Sequence, residues 1–289
     1  MRIIITGLTS YIGNALKNYL SAWPEFEIKC VSLREDLSAL DFKGYDVIFH
    51  AAGIAHDNAK KIAGDKNNLY YEINTDLTFK TALKAKNEGV KQFIFMSSAI
   101  IYGNSAPIGE NKIITTNTQP APQSDYAESK LQAENKLLTL QNDDSFKICI
   151  IRAPMVYGQN SKGNYKLLSR LAKLTPLFPK INNSRSMIYI KNLCEFVHLM
   201  ILNNEQGIFW PQNSDYVCTA NLVQAIAKTH NRKIFLIPGF KFILKILARF
   251  TPLINKAFGS LAYDKNLSEY KFNYNLVNFE DSIKESESV

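Results

Sequence analysis

Tyr126 and Lys130 stand four residues apart in Tyr126-Ala127-Glu128-Ser129-Lys130, so on a helix they share one face. A phenol ionises near pH 10 and is a poor acid or base at neutral pH. A cation beside it stabilises the phenolate and lowers that value. Upstream, Phe93-Ile94-Phe95-Met96-Ser97-Ser98 ends a strand-like run on two hydroxyls. Ser98, with Ser97 as the alternative, could hydrogen-bond a substrate oxygen while Tyr126 moves its proton. Such a set interconverts a carbonyl and an alcohol. Taken singly, Ser98 could cap a strand end and Tyr126 could merely pack. Their order along the chain, behind a nucleotide-type loop, is what gives them chemical meaning.

That loop comes first. Arg2-Ile3-Ile4-Ile5 leads directly into Thr6-Gly7-Leu8-Thr9-Ser10-Tyr11-Ile12-Gly13. A glycine-bearing turn between a strand and a helix offers backbone N–H groups and a helix N-terminus to a pyrophosphate. Gly7 can take the positive φ of a tight turn, and Gly13 allows close helix–sheet packing. Ser10 stands where a middle glycine is usual, and its hydroxyl could donate to a phosphate. Ser10, Tyr11 and Ile12 complete the expected cofactor loop. About 20 residues on, the residue ending the second strand reads the adenosine ribose. Arg34 occupies that place and suits a 2′-phosphate, which favours NADP(H). NAD(H) stays open, with Glu35 or Asp36 on the ribose.

The elements that must hold these residues alternate. Strands are predicted at Arg2–Thr6, Ile28–Leu33, Asp46–Ala51, Gln92–Ser97 and Lys147–Arg152. Helices are predicted at Tyr11–Ala22, Asn74–Asn87 and Tyr126–Gln141. Ser105–Gln123, with three prolines, reads as a loop. This pattern predicts an α/β protein, a Rossmann-type doubly wound parallel sheet with a smaller C-terminal substrate-binding lobe. The dinucleotide domain is expected over residues 1–158, with 186–212 returning to it. The lobe is expected over 159–185 and 213–289. Beyond Gly158 the readings are a helix at Asn164–Leu174, a loop at Thr175–Pro179, a strand at Ser186–Ile190, and helices at Leu193–Asn203 and Leu222–His230. Phe242–Phe250 is a basic amphipathic stretch. Packing against the domain body is favoured for it over lying on a membrane, because its apolar face is short. The interval from Arg34 to Asp46 is short.

The chain has 289 residues, with 46% hydrophobic and 21% charged, ordinary for a soluble globular protein. No apolar run is long enough to span a membrane, and no signal sequence is evident. Stable membrane insertion is therefore not expected, and a cytoplasmic location is. Cys30, Cys149, Cys194 and Cys218 have no metal-type spacing, so no metal is expected. The net charge of +8 comes without any nucleic-acid motif. Scattered lysines make it a solvated surface, though it could help to attract an anionic substrate.

Together these segments resemble the extended short-chain dehydrogenases/reductases, the NAD-dependent epimerase/dehydratase group. Asp46-Val47-Ile48-Phe49-His50-Ala51-Ala52-Gly53 is similar to the family's strand and cofactor-contacting turn, implying Ala51, Ala52 and Gly53 at the cofactor. Asn74 stands where the family has an Asn opening a helix. Arg152-Ala153-Pro154-Met155-Val156-Tyr157-Gly158 resembles the segment leading to the substrate lobe, with Pro154 at the cofactor. Arg185 to Leu193 is similar to a segment whose Arg meets a sugar nucleotide's pyrophosphate. Asn192 replaces an acid common there.

Within the group, Val156 to Asn192 and Ala52-Gly53-Ile54-Ala55-His56 most resemble UDP-2-acetamido-sugar 4-ketoreductases and 4-epimerases of bacterial surface-polysaccharide pathways. The resemblance implies a UDP-sugar partner. Asn164 and Arg185 would meet its pyrophosphate, Leu177 and Pro179 its uracil, and Ser98 its sugar. Tyr126 and Lys130 would serve both catalysis and the nicotinamide ribose. A homodimer is compatible with this reading. Family dehydratases carry Asp-Glu after the hydroxyl residue. Ala99 and Ile100 here cannot do acid–base work, so dehydration is excluded. His56 is a candidate substrate contact and His50 a strand-end packing residue. His198 and His230 have no partner visible in the sequence. The expected reaction is NADPH-dependent 4-keto reduction of a UDP-2-acetamido-2,6-dideoxy-4-ketohexose. The alternatives are a UDP-N-acetylhexosamine 4-epimerase with bound NAD, and a non-catalytic dinucleotide-binding regulator.

Overall fold

The β-branched runs of the first half pair as parallel strands. In the computed structural model, which describes residues 1–34, 36–55, 66–142 and 145–288, six of them form one sheet. They are β1 (Arg2–Thr6), β2 (Glu27–Val31), β3 (Val47–His50), β4 (Gln92–Ser98), β5 (Lys147–Ala153) and β6 (Gly207–Phe209), in the order β6-β5-β4-β3-β1-β2. All neighbouring pairs are parallel. Near-continuous apolar strands such as β4 suit a sheet covered on both faces. Ile4, Ile48, Phe93, Phe95, Ile148 and Ile150 are buried in a core shared with Ala82, Ala133 and Leu137 of helices. The doubly wound expectation holds.

Strand order reverses between β1 and β3, the place where such sheets bind ligands at their C-terminal ends. β2 is an edge strand. It ends at Val31 rather than Leu33, so Arg34 lies in the turn beyond it. The interval after Arg34 holds only the short 3₁₀ turn Leu37–Ala39, and β2 has no strand outside it among the described residues. The predicted Asn74–Asn87 helix is more complex. An α-helical turn Lys66–Tyr70 passes into a π-helical stretch Tyr71–Leu77 and then the α-helix Thr78–Asn87. The Tyr126 helix runs Asp125–Leu138, capped by Ser124, whose side chain accepts from the Ala127 N–H.

The chain divides into two compact units. The first comprises residues 1–103, 119–153 and 194–210 and contains the six-stranded sheet. The second comprises 104–118, 154–193 and 211–289. Its strands pair in twos: Met155–Tyr157 with Met187–Tyr189, Leu177–Pro179 with Phe235–Ile237, and Ile113–Ile114 with Ala262–Tyr263. Two segments read as loops thus carry short strands, because pairing with distant residues supplies what local sequence does not. Helices run Asn164–Leu174, Thr219–Thr229, Lys241–Leu247 and Phe279–Glu287. The helix Ile190–Leu202 starts directly after Tyr189. The expected packing of Phe242–Phe250 against the domain body is corrected. Leu244 is buried, but Phe242, Ile243, Ile246, Leu247 and Phe250 are exposed.

Candidate active site

The candidate cofactor loop is built by two turns in contact. Gly7 has φ of +88°, and a Cβ there would fall 3.0 Å from the Cα and N of Ala52. Only glycine meets both demands without strain. The Gly7 N–H donates to the Val31 carbonyl, tying the turn to the end of β2. A Cβ at Gly13 would lie 3.3 Å from both Ile5 Cγ2 and Ser10 Cβ, so glycine lets the helix approach the sheet closely.

Ser10 also caps the first helix. Its hydroxyl accepts from the Gly13 N–H at 3.1 Å at the start of the helix Tyr11–Leu20, a bond that does not use the O–H proton. The first turn still presents the N–H groups of Tyr11 and Ile12, which have no intrahelical acceptor. A dinucleotide's phosphates fit this donor set and the positive end of the helix dipole.

Behind the turns lies a buried polar scaffold. His50 is enclosed, its Nδ1 3.2 Å from Thr6 Oγ1 and its Nε2 3.0 Å from Thr78 Oγ1. Burial and the nearby Lys130 cation push its pKa down to about 3, so it is neutral. Thr6 Oγ1 also accepts from the Ala52 N–H at 3.3 Å. His50 therefore ties β1, β3 and the Thr78 helix together, as its packing assignment expected. On the neighbouring turn, Asn74 holds both polar groups of Ile54. Its Oδ1 accepts from the Ile54 N–H at 2.9 Å, and its Nδ2 donates to the Ile54 carbonyl at 3.1 Å and to Ser129 Oγ at 3.1 Å. A Cβ on Gly53 would lie 3.0 Å from Asn74 Oδ1 and 3.5 Å from Lys130 Nζ. The π-helical stretch thus delivers Asn74 to the cofactor-side turn and to the Tyr126 helix. Insertions of this kind are frequent at functional sites.

Ser98, Tyr126 and Lys130 come from adjoining elements of the first unit. Lys130 Nζ donates to the Met96 carbonyl at 2.9 Å and lies 4.6 Å above the Phe95 ring, which anchors it on β4 two residues before Ser98. Burial lowers its pKa to about 8, opposed by the Glu134 carboxylate. Tyr126 is partly buried, its ring 6.0 Å from that of Tyr70. Burial first, then the Tyr70 phenol, pushes its pKa up to about 12. The expected lowering by Lys130 is not seen: burial and the Tyr70 phenol both act upward. Tyr126 therefore stands as a neutral phenol that can donate a proton.

The two serines are distinguished by their partners. Ser97 is buried and donates to the Glu134 carboxylate. Ser98, at the strand end, accepts only weakly from the Ile100 N–H at 3.3 Å. Glu134 in turn binds Arg152 through Nε at 3.1 Å and Nη2 at 2.6 Å, and Arg152 Nη1 donates to Tyr102 Oη at 2.6 Å. Trp210 Nε1 donates to the same Oη at 2.8 Å. Sequence reasoning missed this buried network. Its signal was an acid four residues beyond Lys130 and an Arg at the end of a strand.

In the second unit, Asn164 opens its helix and lines a small cavity of about 30 Å³ with Arg185, Thr219 and Lys256. Arg185 Nη1 donates to the carbonyls of Lys256 at 2.6 Å and Gly259 at 3.2 Å. The structure thus brings Asn164 and Arg185 together. Leu177 and Pro179 lie apart from that cavity lining, on the strand paired with Phe235–Ile237. Pro154 is buried just after β5. Arg34 is exposed, and Asp36 accepts from the Ser38 N–H at 2.9 Å. Glu35 and His56 lie outside the described residues. His198 pairs with Glu195 at 3.0 Å and His230 with Glu287 at 2.8 Å. No metal-binding cluster occurs among the described residues.

These features have counterparts in known proteins. The model of the NAD dependent epimerase/dehydratase family matches residues 3–210. The chain is 30% identical over 288 residues to a UDP-glucose 4-epimerase of Vibrio cholerae, covering 91% of this chain and 87% of that protein. Its fold is similar to that of UDP-glucuronic acid 4-epimerase from Bacillus cereus in complex with NAD, with TM-score 0.73 and 15% identity, covering 99% and 97% of the two chains. It is also similar to RMD from Pseudomonas aeruginosa complexed with NADPH, with TM-score 0.74 and 16% identity, covering 99% and 98%. With a glycine turn at the strand-order switch and a family match over residues 3–210, the chain belongs to the NAD-dependent epimerase/dehydratase family and is an NAD(P)-dependent oxidoreductase or epimerase.

Proposed function

We propose that the protein reduces the 4-keto group of a UDP-2-acetamido-2,6-dideoxy-4-ketohexose with NADPH, in the synthesis of surface-polysaccharide precursors. The observation that carries the cofactor choice is the division of roles beyond β2. Asp36 Oδ1 accepts locally from the Ser38 N–H, whereas Arg34 is exposed in the turn next to the Gly7-bound strand end. A guanidinium there suits a 2′-phosphate. The N–H groups of Tyr11 and Ile12 would hold the pyrophosphate, with Gly7, Gly13, Ala51, Ala52, Gly53 and Pro154 shaping the site. When bound, the nicotinamide supplies the hydride. Ser98 donates a hydrogen bond to the sugar oxygen, and Tyr126 gives its phenolic proton to that oxygen as it becomes an alkoxide. Lys130 holds the ribose hydroxyls and helps to restore the proton on Tyr126. The second unit is the proposed substrate lobe, with Asn164 and Arg185 for the pyrophosphate and Leu177 and Pro179 for uracil.

A second reading, UDP-N-acetylhexosamine 4-epimerisation with retained NAD, is favoured by the 30% identity to a UDP-glucose 4-epimerase. Mass spectrometry of the co-purifying nucleotide, followed by assays, separates the two. The reductase consumes NADPH stoichiometrically with a UDP-4-keto-6-deoxy-HexNAc, and Arg34→Ala lowers its NADPH/NADH preference about tenfold or more. The epimerase retains NAD and interconverts UDP-GlcNAc and UDP-GalNAc without added cofactor. An unchanged preference in Arg34→Ala refutes the NADPH assignment.

A further inference from the structure

The second unit carries an apolar face that no described residue covers. From Lys241 the helix Lys241–Leu247 continues through turns to Phe250. Only Leu244 faces inward, at 8% exposure, whereas Phe242 is 73% and Phe250 81% exposed. Ile243, Ile246 and Leu247 are exposed between them. At 3.6 residues per turn, Phe242 and Ile246 form one stripe of the helix, with Ile243 and Leu247 beside it, and Phe250 follows in the turns beyond. Lys241 and Lys245, both exposed, lie on the other flank, and the exposed Arg249 follows in the turns. Leu244 lies on the remaining side, between Leu247 and Ala248. This is the arrangement of a short interfacial helix: an anchored back, an apolar front and a cationic border. The surrounding chain has one sign. Between Tyr216 and Tyr263 there are seven Lys and Arg and no Asp or Glu.

We infer that this face docks reversibly on an anionic lipid bilayer. Both components are needed, since a short apolar helix or a few cations alone bind membranes only marginally. A second copy of the chain is a poorer occupant. An isologous contact would set Lys241, Lys245 and Arg249 against their own equivalents with no acid in the segment to pair them. An anionic headgroup layer supplies the missing charge while its acyl boundary accepts Phe242 and Phe250. Docking is compatible with the absence, among the described residues, of any helix long and apolar enough to cross a membrane.

The test is flotation of the full-length protein with large unilamellar vesicles, either phosphatidylglycerol–phosphatidylcholine mixtures or pure phosphatidylcholine. The protein should float with the anionic vesicles, remain behind with the neutral ones, and be released by added salt. Lys241→Gln, Lys245→Gln and Arg249→Gln together should weaken binding about a hundredfold, at roughly fivefold per cation. Phe242→Ser with Phe250→Ser should weaken it at least about tenfold. These positions are exposed, so circular dichroism and thermal midpoints should match the parent. Equal binding to both vesicle types, binding unaffected by either set of substitutions, or no binding by a folded protein each overturns the inference. The last outcome would reassign the face to a protein partner. A dimer in light scattering that Phe242→Ser with Phe250→Ser converts to a monomer would reassign it to a second copy and also overturn it.

Discussion

Lys130→Met should make the protein more stable at neutral pH while abolishing turnover. Lys130 is 6% exposed, and burial lowers its pKa from 10.5 to about 8. At 1.36 kcal/mol per pH unit, that interval corresponds to roughly 3 kcal/mol of destabilisation by the buried ammonium. Methionine is similar in length and carries no charge, but it leaves the Met96 carbonyl without its 2.9 Å donor, a loss of about 1 kcal/mol. The expected net gain at pH 7 is about 2 kcal/mol. Its pH dependence follows from proton counting. Below about pH 8 Lys130 is protonated in both the folded and unfolded chains, so the whole penalty is present. Between about 8 and 10.5 the unfolded chain binds more protons, and the parent gains stability as pH rises. Above 10.5 the penalty has gone. Urea denaturation of parent and variant at pH 7 and pH 10 isolates this difference, because the other titrating groups are common to both. A variant less stable than the parent at pH 7, or a stability difference unchanged at pH 10, would refute the reasoning that this lysine is held at an energetic cost.

Other substitutions probe the rest of the site. Tyr126→Phe should lower kcat roughly 10²- to 10⁴-fold while calorimetry finds cofactor affinity little changed; retention of more than about a tenth of the rate would contradict proton donation by this phenol. Glu134→Gln should cost about 3–5 kcal/mol in urea denaturation, because Arg152 is left as a buried charge without its partner; a loss under about 1 kcal/mol would show that the guanidinium finds other compensation. Gly7→Ala should destabilise the fold by about 1–3 kcal/mol through its positive φ, and should also weaken dinucleotide binding by calorimetry, since the Cβ meets Ala52 at 3.0 Å.

The local sequence carried the parts of this molecule that depend on local periodicity. β1 and the helix Asn164–Leu174 match their predicted bounds, and the first-unit helices lie within a few residues of theirs. Continuous apolar runs bounded by turn residues can satisfy a covered parallel strand in any such sheet, so their sequence is sufficient. Gly7 was legible for the same reason, because a positive φ after a strand admits few residues. The two-residue strand Ile113–Ile114 and the Leu177–Pro179 strand were not legible. Each pairs with residues far along the chain, and nothing local specifies that pairing.

The chemistry divides in the same way. Residue types and order singled out Ser98, Tyr126 and Lys130 as a candidate set, because helix geometry places Tyr126 and Lys130 on one face whatever the surroundings. Which serine is engaged, and which way each pKa moves, depended on neighbours brought from elsewhere. Ser97 turns to Glu134, and burial with Tyr70 raises Tyr126 where a lone lysine would have lowered it. The fate of Phe242–Phe250 was decided likewise. Its amphipathic pattern is written in the sequence, but whether an apolar stripe meets protein or solvent depends on what the fold sets against it. Spacing along the chain is a local property. Desolvation and partnership are sums over residues distant in sequence, and only the tertiary structure performs those sums.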